Sequence, residues 1–156
     1  MELKTKVNAE DGKLELKVTR EFDLPVDLLF KAYEEPEILE QWMGTKVLKL
    51  ENRKHGSWQF ETTSPQGYKF GLSGVIHEFI PNVKIIRTFE MEGTSFGVQL
   101  EFLEFEALTE DTSRLNMHII YRSLEDREQY LKIGMARGMS LAHNQLEKVV
   151  SKLKKQ

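Results

Sequence analysis

Cysteine is absent from the 156 residues. That excludes disulfides, thiolate nucleophiles and cysteine-ligated zinc together. No apolar run approaches the ~18 residues that a membrane-spanning helix needs. The opening MELKTKVNAEDGKLEL has no apolar centre, so it does not read as a signal peptide. Neither sign of charge dominates: 22 basic and 25 acidic residues leave a net charge of −3, scattered along the chain. Without a basic stripe, nucleic acid is not an expected partner. Lys148, Lys152, Lys154 and Lys155 form a basic cluster, but at a helix C-terminus lysines complement the macrodipole. A soluble, cytoplasmic protein is expected, and 156 residues suit one domain, 1–156, with residues 1–11 frayed or forming a weak first strand.

Catalytic signatures are equally scarce. The four histidines, His55, His77, His118 and His143, form no HExxH or other close pair. There is no G-x-S-x-G elbow and no phosphate-cradling glycine loop. Gly71 and Gly74 sit inside a strand pattern, where glycine eases sheet curvature. No catalytic residue, metal site or cofactor is therefore assigned. Glu101, Glu104 and Glu106 read as a solvated sheet face. Arg87 and Arg122 could meet a ligand carboxylate, though surface ion pairs explain them as well.

What is present is strong periodicity. Leu14, Leu16 and Val18 alternate with polar residues, the pattern of a half-buried strand that runs on to Phe22. Pro25 then starts a short helix, Glu35-Pro36 breaks it, and a second short helix with Ile38, Leu39 and Trp42 on one side stops at Gly44. From Thr45 to Tyr121 strand follows strand, with turns at 52–56, Ser64-Pro65-Gln66-Gly67, Pro81-Asn82, Gly93 and 109–113. Val98, Leu100 and Phe102 share one face, then Leu103 and Phe105 the other, which predicts a bulge near Phe102. Ser123 and Asp126 resemble a capping box opening one long helix to about Lys155, roughly 45 Å in length. Strands first and a long helix last define an α+β domain.

That helix carries Gly134-Met135 and Gly138-Met139. Glycines four apart bare one strip of backbone, and each costs about 1 kcal/mol relative to alanine in a helix interior. A notched helix across an aromatic sheet can leave a cavity. Its expected lining is Trp42, Trp58, Phe60, Phe70, Leu72, Phe89, Val98, Leu100, Phe102, Met135, Gly138, Met139 and Ala142, with His118 as a polar group. A filled core uses the same residues. His118 has the opposite parity to Met117 and Ile119, and His143 sits beside the Ala142 face, so surface or satisfied histidines are the plainer reading of both.

An ordered set of motifs then carries a family likeness. Thr19-Arg20-Glu21-Phe22-Asp23-Leu24-Pro25, Phe30-Lys31-Ala32-Tyr33, Glu35-Pro36-Glu37 and Gln41-Trp42 are followed by Gly56-Ser57-Trp58, Gly74-Val75-Ile76-His77-Glu78, Ile80-Pro81 and the paired Gly-Met steps. The set resembles START-like (SRPBCC, birch-pollen-allergen-like) proteins, and within them the bacterial Aha-like homologues of the activator of the heat-shock chaperone ATPase. Tyr33, Glu35 and Met43 depart from the Trp, Asp and Trp usual there. The resemblance implies a helix-grip fold: a curved antiparallel sheet of six or seven strands around the C-terminal helix, with two short helices after the first strand. It also implies a cavity for a small hydrophobic or amphipathic molecule, lipid, sterol or polyketide-like. A cyclase or hydrolase using His118 or Tyr121, and a chaperone partner, are the alternatives; the oligomeric state stays open.

Overall fold

The computed structural model describes residues 4–64 and 66–153. Pro65 of the expected turn, and Lys154 and Lys155 of the basic cluster, lie outside the described residues. Among the described residues eight strands form one antiparallel sheet: β1 Lys6–Asn8, β2 Glu15–Phe22, β3 Thr45–Leu50, β4 Ser57–Thr63, β5 Lys69–Ile80, β6 Lys84–Met91, β7 Val98–Ala107 and β8 Ser113–Ile120. Their spatial order is β1-β2-β8-β7-β6-β5-β4-β3. The count exceeds the expected six or seven because β1, within the segment read as frayed or weakly stranded, pairs with β2 from Lys6 to Asn8.

Helices α1 Val26–Glu34 and α2 Pro36–Met43 connect β2 to β3 as expected. Leu29, Phe30, Ala32, Tyr33, Ile38, Leu39 and Trp42 are their buried residues. Phe30 meets Phe105 at 4.9 Å between ring centroids, and Tyr33 meets Trp42 at 5.1 Å. These edge-on contacts seal one end of the domain. Trp42 completes the seal by donating from Nε1 to the Ala32 carbonyl at 2.8 Å.

The expected single C-terminal helix is two. α3 Leu124–Lys132 and α4 Met135–Ser151 are separated at Ile133-Gly134, where Gly134 has φ +82°. A left-handed residue ends the hydrogen-bond ladder, and glycine alone adopts it without a Cβ penalty. The apolar spacing continues across the break, so periodicity did not reveal it. At 1.5 Å per residue α4 is roughly 25 Å long, not 45 Å. Ser123 caps α3 by accepting from the Asp126 N–H at 3.1 Å. The Asp126 carboxylate does not complete a capping box but pairs with Arg122 at 2.9 Å.

Strand β7 corrects a second expectation. It alternates regularly, with no register shift against β6 or β8. The bulges lie instead between Val47 and Lys49 and between Ile76 and Glu78. The inward residues of β7 are Gln99, Glu101, Leu103 and Phe105, while Val98, Leu100 and Phe102 face outward. At Gly74 in β5 a side chain has no room, because a Cβ would overlap the Thr88 carbonyl and crowd the Trp58 indole.

Candidate functional site

A cavity of about 260 Å³ lies between the inner face of β6–β8 and the helices. Its floor is Arg87, Phe89 and Met91 from β6, Gln99 and Glu101 from β7, and Met117 and Tyr121 at and beyond β8. Met135, Gly138, Met139, Ala142 and His143 of α4 cover it, with Tyr33, Trp42, Met43, Tyr130 and Ile133 at the sides. Ile133 and Gly138 are exposed and mark the mouth. A Cβ at Gly138 would meet nothing within 4 Å, so this glycine widens the entrance and does not admit a close-packed strand. Volumes of roughly 300–1,000 Å³ are usual for ligand pockets, and this one falls just below them.

One end of the lining is polar. Arg87 Nε donates to Glu101 Oε1 at 3.0 Å, and Gln99 Nε2 donates to Glu101 Oε2 at 2.7 Å. Both carboxylate oxygens are thus used, which lets Glu101 be only 4% exposed. The Arg87 guanidinium also lies over the Trp58 ring at 4.9 Å. Around this pair, Gln99 Oε1 and the Tyr121 hydroxyl are buried without a hydrogen-bond partner among the described residues, and the buried Tyr130 hydroxyl lies against the Met91 backbone. The two tyrosine rings are 5.5 Å apart. Burial, reinforced by the Glu101 charge, pushes the Tyr130 hydroxyl up to about 12 and raises Tyr121 also. At the opposite end His143, 2% exposed, shares a 2.8 Å hydrogen bond with the Thr5 hydroxyl. Burial first, and then the nearby Arg20, lower its pKa to about 4.

Six of the expected residues line the cavity: Trp42, Phe89, Met135, Gly138, Met139 and Ala142. Trp58, Phe60 and Leu72 are buried in the adjoining core, with Trp58 stacked behind Phe89 at 5.7 Å. Phe70 is half-buried near the far edge of the sheet. Val98, Leu100, Phe102 and His118 are corrections, for all four lie on the outer face. His118 hydrogen-bonds Glu15 there and stacks against Phe102. The physical reason is the Arg87–Glu101 pair. Satisfying each other, two charged residues occupy the inner face, and with Glu101 inward the alternate residues of β7, Val98, Leu100 and Phe102, turn outward. Glu101 is thus no part of a solvated face.

Sequence reasoning passed over Tyr33, Met43, Met91, Gln99, Met117, Tyr130 and Ile133 as lining residues, and weighed Arg87, Tyr121 and His143 without placing them in the lining. A signal was available: all five methionines among the described residues line the cavity. A larger depression of about 900 Å³ lies over β1, β2 and β8, but Lys4, Lys6, Glu21, Asp23, Arg114 and Glu147 make it a charged surface hollow whose one apolar lining residue is Phe22. Among the described residues no cluster of histidine, aspartate and glutamate could hold a metal ion, and no helix is long and apolar enough to cross a membrane.

An antiparallel sheet folded against a C-terminal helix, with two short helices closing one end and a cavity between, defines a helix-grip protein of the START-like class. Residues 23–151 match the family described as Activator of Hsp90 ATPase homolog 1-like protein, and the chain belongs to that family. Among solved structures, protein Ms6760 from Mycobacterium smegmatis is similar, with TM-score 0.84 and 24% identity over 93% of this chain and 95% of that one. A protein from Arthrobacter aurescens has TM-score 0.85 and 22% identity over 94% and 91%. A third, from Rhodobacter sphaeroides, has TM-score 0.83 and 22% identity over 95% and 99%. At such identities the likeness concerns the fold alone. No curated protein matches the sequence significantly.

Proposed function

We propose that this protein binds a small hydrophobic or amphipathic molecule between α4 and the sheet. The observation that carries this reading is the apolar cavity lined by five methionines. Methionine is unbranched and polarizable, and it recurs on surfaces that accept varied partners. A ligand burying ~200 Å² of apolar surface there would gain about 5 kcal/mol before entropic costs. The cyclase or hydrolase reading has less support. His118 faces away from the cavity, and burial keeps Tyr121 and Tyr130 protonated near neutral pH, as donors and not bases.

Methyl-¹³C-methionine labelling tests the proposal directly. Titration with fatty acids, sterols and aromatic bicycles is expected to move the Met43, Met91, Met117, Met135 and Met139 methyl signals saturably. Met139→Arg should abolish those shifts, whereas Leu100→Arg, on the outer face, should not. Unmoved methyls across the whole panel would defeat the proposal. The family description favours a second reading, contact with a chaperone. It predicts stimulation of a chaperone ATPase that survives Met139→Arg, because such contact uses the surface.

A further inference from the structure

The polar end of the cavity narrows the ligand class, on the premise that the cavity is a binding site. Glu101 is saturated by Arg87 and Gln99, so the buried pair is neutral overall. The hydrogen bond to Glu101 occupies Arg87 Nε, and a guanidinium has four further N–H donors on its Nη atoms. Beside it stand two buried atoms without partners among the described residues, Gln99 Oε1 and Tyr121 Oη, and the buried Tyr130 hydroxyl, which lies against the Met91 backbone and keeps its own proton to donate. The Gln99 orientation follows from its network, since only the amide nitrogen can donate to the carboxylate. Its oxygen therefore requires a donor. The tyrosine hydroxyls can give one hydrogen bond each and also accept. Buried polar atoms without partners are uncommon and costly in native structures, and two at one end of an apolar cavity, with the Tyr130 hydroxyl beside them, match a head group that both donates and accepts.

We infer that the cavity recognises a compact, uncharged molecule bearing a hydroxyl or primary amide, held by Gln99, Tyr121 and Tyr130 beside the Arg87–Glu101 pair. A free carboxylate is disfavoured, because it supplies no donor to Gln99 and the Arg87 charge that would attract it is already balanced by Glu101. Size selects too: about 260 Å³ is roughly nine water shares of liquid volume, which suits one or two fused rings better than a sterol or diacyl lipid.

Four probes of one shape separate the possibilities: 2-naphthol, 2-methoxynaphthalene, 2-naphthoate and 2-methylnaphthalene, titrated by calorimetry and by the methionine methyl signals. 2-Naphthol should bind roughly tenfold or more tightly than the other three, since only it pairs with both donors and acceptors. Tyr121→Phe should erase most of that advantage while leaving the unliganded protein as stable or more so, because it deletes a hydroxyl with no partner. A merely structural hydroxyl would show the reverse, with lower stability and unchanged preference. Equal affinities, or preference for naphthoate, with the methyl shifts intact would overturn the head-group assignment and leave the cavity standing. No shift with any probe would remove the cavity reading and this inference together.

Discussion

Mild acid should destabilise this protein through His143. The ring is buried against Phe22 at 5.6 Å and hydrogen-bonded to Thr5, with the Arg20 guanidinium close by. Arg20 is itself engaged by Asn144 and by Glu147, the latter at 3.0 Å, so it stays in place as a positive neighbour. Protonating His143 would bury a second positive charge there, which is why its pKa falls from 6.5 to about 4. The unfolded chain takes up this proton first as pH drops through 6.5. The stabilisation is therefore complete above that value and is lost progressively toward pH 4. A shift of that size corresponds to about 3 kcal/mol over the full window, of which about 2 kcal/mol is lost between pH 7 and 5. Glu15 and Glu51 have lowered pKa values, so their contributions are lost only at lower pH. Urea unfolding followed by Trp42 and Trp58 fluorescence reads this out. With a slope of about 2 kcal/mol per molar, the midpoint should fall by roughly 1 M between pH 7 and 5. His143→Gln retains a polar partner for Thr5 but cannot titrate, so its midpoint should be nearly flat over that interval. Parallel decline of the two proteins would refute the argument.

Other outcomes follow from packing. Gly138→Ala should raise stability by about 0.5–1 kcal/mol, since the helix interior gains propensity and a Cβ meets nothing; a thermal melt checks it. Gly74→Ala should cost about 1–3 kcal/mol or prevent folding, because the new Cβ collides with backbone that cannot move aside, as denaturant titration will register. Glu101→Leu should cost about 3–5 kcal/mol by leaving Arg87 uncompensated, and adding Arg87→Met should recover much of it. A double-mutant cycle showing no coupling would contradict the buried pair.

The sequence by itself determined everything that depends on neighbours along the chain. Alternation in Glu15–Phe22 and Ser113–Ile120 marks half-buried strands, and Pro25, Pro36 and Gly44 punctuate the two short helices where the structure has them. The ordered motifs carried the family and the helix-grip architecture. Four of the five α4 residues on the cavity, Met135, Gly138, Met139 and Ala142, were visible, because helical spacing is a local property. Tertiary structure decided the rest. Which face of β7 points inward depends on Arg87 lying opposite Glu101 in the register, and a strand read alone favours its apolar set, Val98, Leu100 and Phe102. The break at Gly134 was equally hidden, since the apolar spacing runs through it unbroken. The polar end of the cavity arises from residues on β6, β7, α3 and the segment after β8, far apart in the chain. A charged residue is inexpensive to bury only beside a partner, and strand pairing, not local propensity, determines where partners meet.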